Sequence, residues 1–280
     1  MDKILIAVDS QNMDESSVSF AFQLAKFTHS RLTGIFLEEP DLEEEIIITR
    51  SGQELYGESV AIKDSREDED KVSVRLENMD RFRTLSEQHM VQVSIHLDKG
   101  LPVNDLIAES RCSDLLIINA TTSFFDLDEN APTGFVKTVL HDAGCPVIIS
   151  PETFEGIDDI IFCYDGSKSA VFAMKQFTYL FPELKSNRVK IIYLNDKEDL
   201  IDEEELRVTE WLRYHYNNDV EWIIPNEEAK VTLFEYLAKK GKDFVVMGAY
   251  GKGLLSSFFK SSEEENGLRI ATLPIFVSHF

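Results

Sequence analysis

The stretch ILIAVD, residues 4–9, consists of five apolar residues followed by an aspartate, and it returns as IIFCYD at residues 160–165. An unbroken apolar run of this length is typical of a parallel strand that is buried on both faces of its sheet. A short polar run follows each copy, DESS at residues 14–17 and GSKS at residues 166–169, and such residues begin helices. The sequence therefore predicts the same strand and helix at the start of each half of the chain.

The match between the two halves continues to the end of the chain. Alternation of strands with helical segments predicts a parallel sheet covered by helices, an α/β fold, in each half. The later strands recur in the same order: LTGIFL at 32–37 with VKIIYL at 189–194, VQVSIHL at 91–97 with VEWII at 220–224, DLLIIN at 114–119 with DFVVMG at 243–248, and AGCPVII at 143–149 with ATLPIFV at 271–277.

The repeat also predicts where the two domains meet. Pro151 and Gly156 break regular structure, so we expect one domain at residues 1–152 and a second at residues 156–280. The distance along the chain from Asp9 to Asp114 is longer than that from the matching Asp165 to Asp243, so the first domain contains an insertion. Residues 38–65, with the acidic run EEE at 43–45, are its expected place.

Composition narrows the class of protein. The net charge of −23 repels phosphate backbones, and no basic stripe relieves it, so we expect no nucleic acid partner. No apolar run approaches the length of a membrane span, and the first residues do not resemble a signal peptide. We therefore expect a cytoplasmic protein that does not enter membranes. Three cysteines, Cys112, Cys145 and Cys163, each lie in or beside an apolar stretch and predict reduced thiols in the core.

The order of these pieces resembles the tandem universal stress proteins. The resemblance covers nearly the whole chain and rests on AVD at 7–9, CYD at 163–165, DFVVMG at 243–248 and the two closing strands that follow a proline. It implies two doubly wound, open, five-stranded parallel sheets flanked by helices and packed as an intramolecular pseudo-dimer. The apolar last strand, residues 275–277, predicts a buried edge, either between the two halves or between chains in a homodimer.

The resemblance also implies a candidate nucleotide site in the second half. Nucleotide-binding members of the family have a loop of pattern G-x2-G-x9-G-(S/T), in which glycines and a helix N-terminus bring backbone N–H groups to phosphate oxygens. In those members an aspartate after the first strand contacts the adenosine, and backbone atoms at the end of the second strand bind the base. The matching positions here are Asp165, Leu194, Gly248, Gly251, Ser261 and Ser262, with Gly253 as a further flexible point. The ligand implied is ATP or another adenine nucleotide with Mg²⁺.

The first half departs from this loop pattern. Residues 119–129 read NATTSFFDLDE, and no glycine follows until Gly134. Side chains there occupy space that phosphate oxygens need, so we expect no nucleotide in the first half although Asp9 remains. For Asp9 and Asp165 a turn-forming role is the alternative.

A second interpretation of the second half stays open. The run EEE at residues 263–265 follows Ser261 and Ser262 at the spacing of a capping box, which would satisfy the N–H groups that a phosphate uses. A self-capped helix predicts a protein-interaction module of the same fold without a nucleotide. The six histidines show no metal-ligand spacing, and no nucleophile lies beside an evident base. We therefore expect no metal site and no enzyme beyond a slow ATPase.

Overall fold

The computed structural model describes residues 1–39, 69–97, 100–124, 129, 131–194, 201–223, 242–249 and 273–278. The predicted insertion lies outside the described residues except for Glu38 and Glu39. The domain boundaries at residues 152 and 156 stay predictions.

Ten described strands form the sheet, and most are the apolar runs of the repeat. The interior residues of eight strands are buried because a parallel sheet carries helices on both faces, whereas the two outermost strands have no fully buried residue. The strands are β1 (Lys3–Asp9), β2 (Arg31–Leu37), β3 (Val93–Leu97), β4 (Leu115–Ile118), β5 (Val147–Ile149), β6 (Asp159–Tyr164), β7 (Arg188–Tyr193), β8 (Val220–Ile223), β9 (Asp243–Gly248) and β10 (Ile275–Ser278).

Helices connect these strands and cover the two faces of the sheet. Those described are α1 (Glu15–Phe27), α2 (Glu69–His89), α3 (Pro102–Ser110), α4 (Gly134–Asp142), α5 (Lys168–Leu180) and α6 (Ile201–Arg213), with a 3₁₀ turn at Pro182–Ser186. Helices α1, α2, α5 and α6 contribute to the core on one face. Helices α3 and α4 contribute to the core on the other face. No helix among the described residues has the length and apolar character needed to span a membrane.

The strand order differs from the prediction of two separate sheets. It runs β3-β2-β1-β4-β5-β10-β9-β6-β7-β8 as a single ten-stranded sheet. Every neighbouring pair is parallel except β5 and β10, which pair antiparallel with Ile149 opposite Ile275. Each would otherwise be an edge strand with unpaired N–H and C=O groups, and this pairing removes both edges. The last strand is therefore buried between the two halves, one of the two predicted alternatives.

The two halves also share their hydrophobic cores. On one face the buried cluster runs from Ile4 in β1 through Ile148 in β5 to Phe162 in β6. The segment that joins the halves packs onto this face, where the ring of Phe154 lies edge-on against Phe20 with centroids 4.9 Å apart. The order 3-2-1-4-5 of the first five strands recurs as 8-7-6-9-10, so the repeat seen in the sequence is a repeat of topology.

Candidate nucleotide site

The structure brings the described candidate residues of the second half together. Strand β6 lies between β7 and β9; Asp165 follows β6, Leu194 follows β7 and Gly248 ends β9. From β6 the chain continues to β7 and from β9 to β10, in opposite directions along the sheet, which makes the edge between β6 and β9 the topological switch point where ligands bind in open α/β sheets. The other candidates, Gly251, Gly253, Ser261 and Ser262, lie outside the described residues.

Asp165 forms the turn that starts α5. Its carboxylate is 1% exposed, and Oδ1 accepts a hydrogen bond from the Ser167 N–H at 2.9 Å. Gly166, between them, adopts a left-handed φ of 79°, which glycine takes without strain. Ser167 then caps the helix by accepting from the Ala170 N–H at 3.1 Å. The turn-forming role predicted for Asp165 is therefore present.

Leu194 continues the hydrogen bonding of the sheet by one residue. Its N–H donates to the carbonyl oxygen of Tyr164 at 2.8 Å. Since the amide is used in this way, a base that reaches Leu194 has to bind its carbonyl group.

Gly248 lies against the start of α5. A Cβ atom placed on it would lie 2.6 Å from the Ser169 carbonyl carbon and 2.8 Å from the Ala170 nitrogen. Glycine is required here because a strand end and a helix N-terminus approach each other through their backbones.

At the position of the first half that matches Gly248, a side chain bridges the strand end and the helix start. Asn119 follows β4 as Gly248 ends β9, and its Nδ2 donates to Asp14 Oδ2 at 2.7 Å and to Ser17 Oγ at 3.2 Å. Asp14 in turn caps α1 by accepting from the Ser17 N–H at 3.0 Å. The Thr121 N–H donates to Asn119 Oδ1 at 2.8 Å. Hydrogen-bonded side chains thus join the end of β4 to the start of α1.

The pKa values of two aspartates in the first half, Asp9 and Asp14, are shifted in opposite directions. Burial raises the pKa of Asp9, against two backbone hydrogen bonds, from Gln11 and Asn12, that lower it; the charge of Glu38 raises it further. Burial also acts to raise the pKa of Asp14, but hydrogen bonds, first among them that of the Ser17 hydroxyl, outweigh it and hold the pKa below its ordinary value. Asp9 forms the turn predicted for it, because its Oδ1 accepts from the Gln11 N–H at 2.8 Å.

Known structures resemble this chain over nearly its whole length. A universal stress protein from Archaeoglobus fulgidus DSM 4304 superimposes with a TM-score of 0.64 at 15% identity, over 99% of this chain and 98% of its own. The chain has the fold of the universal stress proteins. A provisionally assigned universal stress protein from Pseudomonas aeruginosa UCBPP-PA14 gives 0.55 at 15% identity, over 100% and 93%. A functionally unknown protein from Pseudomonas aeruginosa PAO1 gives 0.52 at 14% identity, over 100% and 92%.

At this level of identity the resemblance shows the universal stress protein fold alone. No family model matches the sequence, and no curated protein matches it either.

Two of the three cysteines are buried in this universal stress protein fold, and the third is exposed. Burial raises the pKa of both the Cys145 and the Cys163 thiols to about 12, so both are protonated core thiols, as predicted. The prediction was wrong for Cys112, which is exposed because it lies in the turn after α3, beyond the apolar face of that helix. Within the described ranges, no three His, Cys, Asp or Glu side chains are grouped as metal ligands.

The Asn119 network predicts a measurable loss of stability. Asn119→Ala removes the hydrogen bond to the Asp14 carboxylate, and we expect the free energy of unfolding to fall by about 1 kcal/mol at pH 7. The loss should shrink below about pH 4, because an Asp whose folded pKa is lowered stabilises the fold only while it is ionised. Urea unfolding at the two pH values checks this. Thr121→Ala removes a hydrogen bond to Asn119 Oδ1 and none to Asp14, so its cost should be the same at both pH values; an unchanged midpoint for Asn119→Ala would contradict the prediction.

Proposed function

We propose that the chain is a cytoplasmic stress-response protein of the universal stress protein type, whose second half binds an adenine nucleotide and whose first half does not. One observation carries the proposal: Asp165, Leu194 and Gly248 meet at the switch point of the second half. In the first half, Asn119 and Asp14 carry side chains at the matching edge. The strand order of the first five strands recurs, in the opposite direction along the sheet, in the last five, and the two sets meet at β5 and β10. This repeat supports two domains, at residues 1–152 and 156–280, that pair as a pseudo-dimer.

Each described group has a part in binding. The Asp165 carboxylate is an acceptor for adenosine hydroxyl or amino donors, since a carboxylate oxygen accepts more than one hydrogen bond. The Leu194 carbonyl is an acceptor for the amino group of adenine. Gly248 keeps the start of the loop close to the N-terminus of α5, a place where backbone N–H groups favour anions. Gly251, Gly253, Ser261 and Ser262 are proposed to hold the phosphates, with Mg²⁺ offsetting the charge of the glutamates at residues 263–265.

Calorimetric titration of the ligand-stripped chain with ATP and Mg²⁺ tests the proposal. We expect saturable binding to one site, lowered at least about tenfold by Asp165→Ala, which corresponds to about 1.4 kcal/mol. Gly251→Val should abolish binding because it places a branched side chain in the loop.

Asp9→Ala is the matched control for that experiment. Asp9 and Asp165 form the same turn after the first strand of their halves, to the N–H of Gln11 and Ser167 respectively. Both substitutions therefore remove the same turn, whereas only Asp165→Ala should weaken nucleotide binding. Equal affinities of the two variants would show that Asp165 acts only as a turn former, and no binding to the wild type would refute the proposal.

One observation favours the protein-interaction alternative. Tyr179 in α5 is 59% exposed and Tyr214, after α6, is 79% exposed. Tyr179 contacts the rings of Trp211 and His215 at centroid distances of 6.1 Å and 5.9 Å. Aromatic side chains with a polar tip are enriched at protein interfaces, so this cluster is the candidate surface if the chain binds no nucleotide.

A further inference from the structure

We draw no further inference here: the strongest candidate, the surface cluster of Tyr179, Trp211 and His215 where α5 and α6 end, carries none because nothing in the described part of the structure shows what covers it.

Discussion

Lys190→Met is expected to lower the free energy of unfolding by about 3 kcal/mol. Lys190 is 6% exposed and Asp159 is 2% exposed, and the ammonium group of Lys190 donates to Asp159 Oδ2. Asp243, also buried, lies opposite Asp159 in the sheet. Removal of the lysine leaves buried carboxylate charge with less compensation, which is the costly way to break a buried ion pair. Urea unfolding measures the loss.

Two further variants separate the contribution of the Lys190–Asp159 ion pair to stability from other effects of the substitution. Arg188 also contacts Asp159, with Nε 2.5 Å from Oδ1, but its side chain is 67% exposed, so Arg188→Gln should cost less than about 1 kcal/mol. Asp159→Leu combined with Lys190→Met should recover part of the lost stability, because it removes one of the two buried carboxylates that lose the charge of Lys190. A Lys190→Met variant as stable as Arg188→Gln would show that Lys190 and Asp159 form no strong pair.

The pH dependence of Lys190→Met follows from the same pair. Burial acts to raise the pKa of Asp159, but the hydrogen bonds and charges of Lys190 and Arg188 outweigh it and hold the pKa below its ordinary value. A lowered folded pKa stabilises the protein above the unfolded pKa, about 3.9, and this contribution is lost as the pH falls through the folded pKa. The difference between wild type and Lys190→Met should therefore narrow below about pH 4.

The order of strands and helices could be predicted from the sequence because a buried parallel strand is a continuous apolar run. The single sheet could not, because the pairing of β5 with β10 depends on which edge each strand finds in three dimensions. VII at residues 147–149 and IFVS at residues 275–278 are apolar in the same way whether they meet within one chain or between two. Only the structure decides between these alternatives.

Local geometry limited the prediction of side-chain positions in α6 as well. The sequence of residues 203–216 predicts that Trp211, Tyr214 and Tyr216 form the apolar side of a helix that packs on the sheet, with the acidic residues facing water. The helix ends at Arg213, and the Tyr214 N–H donates to the Trp211 carbonyl at 3.3 Å in a tighter turn. The helical period no longer applies beyond that point, so Tyr216 is buried while Tyr214 is exposed.

The sequence could predict where the described candidate residues lie in the fold, but not which groups they bond to. The repeat placed Asp165, Leu194 and Gly248 at equivalent strand ends, and parallel topology brings those ends together. What the sequence did not indicate is the bond partner of each group. Asn119 differs visibly from Gly248 in the aligned repeat, which was a usable signal of altered chemistry. The pairing of Arg75 with Glu38 joins residues 37 positions apart and has no local pattern.

Gly248→Ala is expected to destabilise the protein by about 2–3 kcal/mol, at the upper end of what overpacking costs. The added Cβ would lie 2.6 Å from the Ser169 carbonyl carbon and 2.8 Å from the Ala170 nitrogen. Both are backbone atoms of the first turn of α5, so either that turn or the end of β9 has to move. Urea unfolding measures the loss. Gly134→Ala is the control, because the nearest described atom to its Cβ would be a carboxylate oxygen of the flexible Glu129 side chain, at 3.3 Å, and alanine favours a helix.

Comparison with the first half indicates that the clash of a side chain at position 248 with the start of α5 depends on the length of the loop before that helix. The N-cap of α1 is Asp14, five residues after Asp9, whereas the N-cap of α5 is Ser167, two residues after Asp165. The longer loop accompanies an asparagine side chain at the end of β4, and the shorter loop accompanies glycine at the end of β9. Insertion of the three additional residues, QNM at 11–13, after Gly166 should therefore relieve the cost of Gly248→Ala. An equal cost with and without the insertion would show that the close approach does not depend on this loop.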